Sequence, residues 1–420
     1  MNSEQTRRAF LKQIGYSGAA LCAVTSMFHC HRKTQPPNVI LICMEDMSPR
    51  LGCYGHPAVK TPNIDALAAK GVRFTNAYCN ATLCNPSRTS FLTGLRPETT
   101  AVVENFYDWQ KFIPDSIQTL PAVFKDHDYD TIRIGKIFHA WRSKWGEDWS
   151  DSQYWSRIED PAPLAKDRHP LKSPKKPVPE KLKQLSDTGL YHYLKKSLKW
   201  GANGRTGKDD MDWQRTEIAC NTIEENRDRP LFLALGFSHT HLPYTAPKNY
   251  IDMYSLNDID VPDVPENDLH DVPSEAYWYF HTVDEQRLTK QDKKEIIRCV
   301  YASITLIDDC VGQIMDTLKR SGKLDNTIVI FMSDHGLNLG EHGLWRKELL
   351  FDVTLRVPLI MHVPGMVQTG AVCKDVVELL DLYPTLTELC NISSPEHLEG
   401  KSLAPMLARP QKKRDHAAYA

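Results

Sequence analysis

Net charge is the first thing this chain of 420 residues lacks: 51 Lys and Arg face 53 Asp and Glu, leaving −2. No global field then draws nucleic acid or an acidic membrane surface, so affinity for polyanions must come from local basic clusters. Also missing is any Cys-x-x-Cys pair among the eleven cysteines, which removes the usual zinc and thioredoxin-type signatures. No internal repeat of roughly 20–50 residues marks a solenoid or propeller. The best apolar run, Ile14 to Phe28, is short and interrupted by Gly15, Ser17, Gly18, Thr25 and Ser26, too polar for a membrane span. What remains is a globular composition, 41% apolar and 25% charged. The length suits one large α/β unit, or a large unit with a small one.

Strand and helix patterns alternate, which predicts an α/β fold with a large mixed, mainly parallel sheet flanked by helices. Apolar runs read as strands at Val39 to Met44, Val72 to Thr75, Thr131 to Gly135, Leu231 to Phe237, Asn326 to Met332 and Val357 to Val363. Helices are expected from Thr61-Pro62 to Ala69, Ile117 to Lys125, Met211 to Glu225, Thr289 to Arg320 and Asp381 to Leu389. The longest carries Ile297, Val300, Tyr301, Ile304, Ile307, Val311, Ile314 and Leu318 on one stripe, and Gly322 ends it. Residues 140–208 differ. Rich in Trp, Lys, Ser and Pro, they predict an insertion with long loops, where substrate selectivity tends to reside.

Cys84-Asn85-Pro86-Ser87-Arg88 continues as Thr89-Ser90-Phe91-Leu92-Thr93-Gly94. Pro86 suits a first helical turn and Gly94 a stop. Residue 84 then lies at a helix N-terminus, where free N–H groups and the dipole favour an anion. Arg88, about one turn on, can face the same anion bidentately. A lone cysteine there would read as a buried thiol in a turn. Two acidic segments, Glu45-Asp46 and Asp334-His335-Gly336, each follow an expected strand directly. Strand ends of an α/β sheet converge on one rim, so Glu45, Asp46 and Asp334 together would suit a hard divalent cation. Taken singly, each pair is ordinary loop chemistry. The same holds for Lys136 and His139 in Gly135-Lys136-Ile137-Phe138-His139, for His241 before Leu242-Pro243, and for Lys347.

Together these blocks resemble the type I, formylglycine-dependent sulfatase family. C-x-P-S-R-x-x-x-L-T-G at Cys84 is similar to its signature. Pro37-Asn38-Val39 through Asp46, and Phe331 to Gly336, are similar to its two metal-binding blocks. The G-K-[IV]-F-H, H-x-P and S-D-H-G-x-x-L-G-E-H-G-x-W-x-K blocks resemble iduronate-2-sulfatase-like members most closely, and the likeness runs from about Pro37 to about Leu407. It implies an alkaline phosphatase-like fold with a smaller C-terminal antiparallel-sheet domain, of which residues 409–420 would be a truncated start. It implies that a formylglycine-generating enzyme oxidises Cys84 to Cα-formylglycine. Glu45, Asp46, Asp334 and His335 would then bind Ca²⁺, or Mg²⁺, with residue 84. The family more often has Asp where this chain has Glu45, which shifts that carboxylate by about one bond length. The hydrated aldehyde would attack the sulfur of a sulfate ester while Arg88, Lys136 and Lys347 neutralise the sulfate oxygens. His241, with Lys347, would protonate the leaving alcohol. His139 would take the proton from the second hydroxyl, releasing sulfate.

The subgroup likeness implies a sulfated carbohydrate substrate, with a 2-O-sulfated uronic acid as the candidate sugar. Trp109, Trp141, Trp145 and Trp149 can stack on pyranose rings, and Lys166, Arg168 and Lys172 can meet carboxylates; each also reads as part of a solvated loop packed on the body. His239 is a candidate for touching the leaving group. At the other end, Thr6-Arg7-Arg8-Ala9-Phe10-Leu11-Lys12 resembles a bacterial twin-arginine export signal. It implies the twin-arginine export machinery as a partner and a leader over residues 1–35. The mature protein would be periplasmic or extracellular, without a transmembrane helix. Cys30 offers a lipid-anchoring position, though Phe28-His29 is a poor approach to one. The catalytic domain is then 36–408. An oxidising compartment permits disulfides, but the spacing of the cysteines does not pair them. Two other readings stay open: a phosphate or phosphonate ester hydrolase of the same superfamily, and a non-catalytic sulfoglycan-binding protein. Cys84 opposes the first, since such enzymes generally use Ser or Thr there.

Overall fold

The computed structural model of the protein describes residues 35–139, 151–161, 170–177, 198–273, 276, 281–366, 368–414 and 416–420. The chain divides into Met1–Pro36 and Pro37–Ala420, and every element below belongs to the second unit. Arg7, Arg8, Cys30, Trp141, Trp145, Trp149, Lys166 and Arg168 lie outside the described residues.

Eight strands build one sheet: β1 (Asn38–Met44), β2 (Val72–Tyr78), β3 (Asp130–Gly135), β4 (Arg157–Glu159), β5 (Leu231–Gly236), β6 (Thr327–Ser333), β7 (Arg356–His362) and β8 (Ala371–Glu378). Their order across the sheet is β8-β2-β7-β6-β1-β5-β3-β4. Neighbours run parallel except at β7, which is antiparallel to both β2 and β6. This is the expected mixed, mainly parallel α/β sheet. Six main helices flank it: α1 (Pro62–Lys70), α2 (Cys84–Thr93), α3 (Leu120–Asp126), α4 (Met211–Glu225), α5 (Lys290–Arg320) and α6 (Leu382–Leu389).

The central strands read as unbroken apolar runs because both faces are covered. Along β1, Ile40, Ile42 and Met44 enter one core while Val39, Leu41 and Cys43 enter the other, the two-residue alternation of a strand. Side chains of α1, α4 and α5 fill the first core, and those of α2, α3 and α6 the second. The whole expected stripe of α5 is buried. Thr289 and Asp292 close its start with reciprocal side-chain-to-backbone hydrogen bonds.

The differences from expectation lie at edges. The helix expected from Ile117 starts at Leu120, with Pro121 in its first turn. β2 runs on to Tyr78 because it pairs with β7 on one side and β8 on the other. β8 itself carries a register shift between Cys373 and Val376, which breaks the alternation a strand would show in sequence. In the insertion, Lys172 Nζ binds both carboxylate oxygens of Glu295 on α5, at 2.8 and 2.7 Å, so its charge is answered within the chain. Trp109 is buried and stacked on Phe138, centroids 4.3 Å apart, rather than open to a sugar. Residues 416–420 form no strand; the Tyr419 N–H donates to Glu378 Oε1 at 2.9 Å and His416 Nε2 lies 2.7 Å from Glu378 Oε2. No described helix is long and apolar enough to cross a membrane. The nine described cysteines are free thiols.

Candidate functional site

β6, β1, β5 and β3 lie side by side and parallel, so their C-terminal ends open on one rim. β6 runs out at Asp334-His335, β1 at Glu45-Asp46, β3 at Lys136, and β5 leads to His241. A side chain on Gly236 would collide with the Lys136 carbonyl, so glycine is needed where β3 and β5 close up beneath the site. The start of α2 brings Cys84 to the rim. Gly94, at φ 72°, stops that helix as expected. Lys347 follows the short antiparallel pair Asn338–Leu339 and Trp345–Arg346.

Cys84 Sγ is the hub. It lies 3.0 Å from Lys347 Nζ, 3.4 Å from His335 Nε2, 3.5 Å from Glu45 Oε1 and 3.9 Å from Asp46 Oδ1. Lys347 also donates to Asp46 Oδ1 at 2.7 Å, and Lys136 Nζ pairs with Glu45 Oε1. Asp46, Cys84, Asp334 and His335 each bring one donor atom within 4.8 Å of the others, and so do Glu45, Asp46, Cys84 and His241. The five expected ligands therefore fall into two overlapping groups that share Asp46 and Cys84. Glu45 belongs to the second, its carboxylate paired with Lys136.

The donor set fits a hard divalent cation. It is rich in carboxylate oxygen, and Asp334 Oδ1 accepts the backbone N–H groups of Asp46 (3.0 Å) and His335 (2.9 Å), which orients it. His335 Nδ1 lies 2.9 Å from the Gly336 carbonyl, so a proton on Nδ1 leaves Nε2 as the ligand atom. Asp46 leaves the strand with φ 58°, a left-handed conformation that Asp tolerates better than most residues.

Arg88 is wholly buried. Its Nε donates to Asp334 Oδ2 at 2.8 Å and its Nη1 to the carbonyls of Lys136 and Ile137 at 2.7 and 2.9 Å. Only Nη2 has no protein acceptor. The helix start is less open than the sequence suggests: Pro86 has no N–H, and that of Asn85 is taken by Asn105 Oδ1 at 2.9 Å. An anion here is met mainly by side-chain cations.

The charges are strongly interdependent. Burial works against ionisation of the Cys84 thiol, yet Lys136, Lys347 and His335 together bring its pKa below the ordinary thiol value. Burial likewise opposes the Asp334 carboxylate, but His335 and Arg88 hold it down at about 2. His335 is pulled the other way: burial would lower it, while Asp334, Asp46 and Cys84 raise it to about 9. Burial and then Lys136 push His139 down to about 3, so it is neutral at ordinary pH. His241 Nε2 stands 3.9 Å from Glu45 Oε1 with 38% of its side chain exposed.

His239 is held in a network of its own beside the site. Its Nε2 sits 3.1 Å from both carboxylate oxygens of Asp210. Asp212 accepts the backbone N–H groups of Ser238 and His239, and Arg215 bridges Asp212 and Ser238 Oγ. This network braces the segment that carries His241. Thr240 Oγ1 adds hydrogen bonds to the carbonyls of Glu45 (3.2 Å) and Asp46 (2.7 Å). The sequence reading missed these supports. Asp210 before a helix reads simply as an N-cap, a role it also fills.

A mainly parallel sheet with a helix start, carboxylates and buried cations gathered at one rim is the frame of the alkaline phosphatase-like α/β hydrolases. A family model described as Sulfatase matches residues 37–392, and the chain belongs to the sulfatase family. It is similar to a sulfatase of Formosa agariphila, 30% identical over 398 residues that span 92% of this chain and 76% of that protein. It is similar to iduronate 2-sulfatase of Mus musculus, 31% identical over 91% of this chain and 74% of that protein. Among solved structures, phosphonate monoester hydrolase of Agrobacterium radiobacter matches with a TM-score of 0.68 at 23% identity, over 91% of this chain and 79% of that one. A 2-O GAG sulfatase matches at 0.66 and 23%, over 91% and 76%. The solved structures bear on the fold alone. Family membership makes this chain a sulfuric ester hydrolase, from a family that generally uses a metal ion and a formylglycine.

Proposed function

We propose that this chain is an exported sulfatase acting on the sulfate esters of a sulfated carbohydrate, with a 2-O-sulfated uronate as the first candidate. Residues 1–35 are its leader and 36–408 its catalytic domain. A formylglycine made from Cys84 is its nucleophile, and a divalent cation, Ca²⁺ or Mg²⁺, its cofactor. One observation carries the reading: Cys84 Sγ has Lys347 Nζ at 3.0 Å and Glu45, Asp46 and His335 within 3.9 Å. The sulfur stands where an oxygen of the converted side chain would be.

Asp46, Asp334 and His335, with Glu45 beyond residue 84, would hold the cation, which when bound supplies Lewis-acid polarisation of oxygens at the site. A hydrated formylglycine supplies one oxygen to attack sulfur and a second hydroxyl for the later release. Lys136 and Lys347 bind and orient the sulfate through their charge. Arg88 contributes Nη2 and keeps Asp334 in place. His241 faces solvent beside Glu45 and gives a proton to the departing alcohol. His139, held neutral by burial and Lys136, receives a proton from the second hydroxyl.

The test is mass spectrometry of the peptide containing residue 84, from protein co-produced with a formylglycine-generating enzyme, followed by assays on matched 4-nitrophenyl sulfate and phosphate. The aldehyde mass with preference for the sulfate is expected. An unconverted thiol in fully active protein removes the nucleophile, and a preference for the phosphate supports the phosphohydrolase reading.

A further inference from the structure

The loop that follows α2 exposes an unusual amount of apolar surface. Val103 is 52% exposed, Phe106 65%, Tyr107 37% and Phe112 43%. Tyr107 and Phe112 stack on each other, centroids 5.0 Å apart and planes 13° from parallel. Rings that only shield a core have no reason to be held outward.

Two anchors place this loop beside the site. The first is Asn85, the residue next to Cys84, whose side chain is buried. Its Nδ2 donates to the carbonyls of Glu104 (3.0 Å) and Tyr107 (2.8 Å), and its N–H to Asn105 Oδ1 (2.9 Å). Its own Oδ1 accepts from Thr89 Oγ1 at 3.3 Å, so every polar atom of the side chain is used. The second anchor is buried Trp109, stacked on Phe138 with planes only 8° apart. Phe138 lies between Lys136 and His139 in sequence. The exposed rings are thus suspended between the segment that begins at residue 84 and the one that carries Lys136 and His139.

A third feature points the same way. Glu348, the neighbour of Lys347, donates its N–H to the Thr82 carbonyl at 3.2 Å, which ties it to the segment just before Cys84. Glu104, whose carbonyl Asn85 holds, carries a carboxylate on the same loop as the rings, and burial, then the charge of Glu348, raise its pKa. Exposed aromatic faces on a loop that also carries a carboxylate suit a ring with apolar C–H faces and equatorial hydroxyls. Only the part of the substrate beyond the sulfur can meet them, because the cations around Cys84 receive the sulfate.

We infer that Tyr107 and Phe112, presented by the loop that Asn85 clamps against α2, form a wall on which the substrate's sugar ring stacks. Asn85 is then a positioning residue: it touches no substrate and sets where the wall stands relative to residue 84. The inference rests on the proposed action on carbohydrate sulfates.

The experiment compares steady-state kinetics on a disaccharide carrying a 2-O-sulfated uronate and on 4-nitrophenyl sulfate, using converted full-length protein. For Tyr107→Ala, the ratio of kcat/KM on the disaccharide to that on the aryl ester should fall about tenfold, the scale of one lost stacking contact, with most of the change in KM. Phe112→Ala should shift it in the same direction, and Tyr107→Phe should restore it. Asn85→Ala should raise KM for the disaccharide without changing which ester is preferred at saturation. A ratio within about twofold of the parent in both alanine variants overturns the inference, and so does an equal loss on both esters, which would show mere support of the pocket. If the parent cleaves the aryl ester but no carbohydrate sulfate, the substrate reading fails along with this one; if it cleaves the disaccharide and the ratio stays put, only the wall is lost.

Discussion

Arg88 and Asp334 form an ion pair from which water is excluded: Nε meets Oδ2 at 2.8 Å and both side chains are 0% exposed. The pair fastens α2 to the end of β6, and so sets the distance between residue 84 and the acidic strand ends. Desolvation makes it a poor source of net stability when intact, yet removing one partner leaves a buried charge alone. Arg88→Ala should therefore cost about 3–5 kcal/mol. Arg88→Lys should fare little better, since an ammonium cannot span Asp334 and two carbonyls at once. Urea unfolding measures both; an alanine variant as stable as the parent would contradict the argument.

Lys347 touches both Cys84 and Asp46. If it stabilises charge developing on the sulfate, Lys347→Ala should lower kcat by roughly 10²–10³-fold. A fall confined to KM, measured on 4-nitrophenyl sulfate, would reassign it to ground-state binding.

Chelation should weaken both activity and fold. An ion bound only by the native state adds about 2.7 kcal/mol at a hundredfold excess over its Kd. Dialysis against EDTA should lower Tm and abolish turnover, and Ca²⁺ or Mg²⁺ should restore both. Asp334→Asn should no longer respond to the ion. Indifference of the parent's melting curve to chelator and calcium would speak against a resident cation.

The Asp210–His239 pair makes stability depend on pH. Burial opposes the charge on His239, but Asp210 raises its pKa from 6.5 to about 9. Its stabilisation is fully present below 6.5 and is lost as pH rises through about 9. Burial also opposes the Asp210 carboxylate, but His239 depresses its pKa below 3.8, so that part is present above 3.8 and is lost as pH falls through the depressed value. Stability of the parent should decline between pH 6.5 and 9 in urea titrations, and Asp210→Asn should flatten that decline. An unchanged slope in the variant would show that other groups govern the window.

Legibility in the sequence followed the range of the forces involved. Strand ends, the start of α2 and the stripe of α5 are local patterns, so Glu45, Asp46 and Asp334 stand out as a carboxylate set in the sequence, whereas Cys84 and His335 join them only through the family resemblance. Contacts across the chain left no such mark. The bulge in β8 hid that strand. Arg157–Glu159 is a three-residue edge strand, too short for periodicity to register. Lys172 looked ready for a ligand until Glu295, 123 residues away, was seen to take it. Trp109 looked available because its partner, Phe138, lies in a distant segment of the chain, after the end of β3. The Asp210, Asp212 and Arg215 braces and the Asn85 clamp are likewise tertiary: polar residues whose roles depend on what the chain folds against them.

The backbone at Asp46 has a practical consequence for anyone retuning this pocket. At φ 58°, Asn or Gly fits without twisting the chain, whereas Val, Ile or Thr would force it elsewhere. Asp46→Asn is therefore a nearly pure charge edit, and mutant libraries at this position are best confined to those small polar or unsubstituted choices.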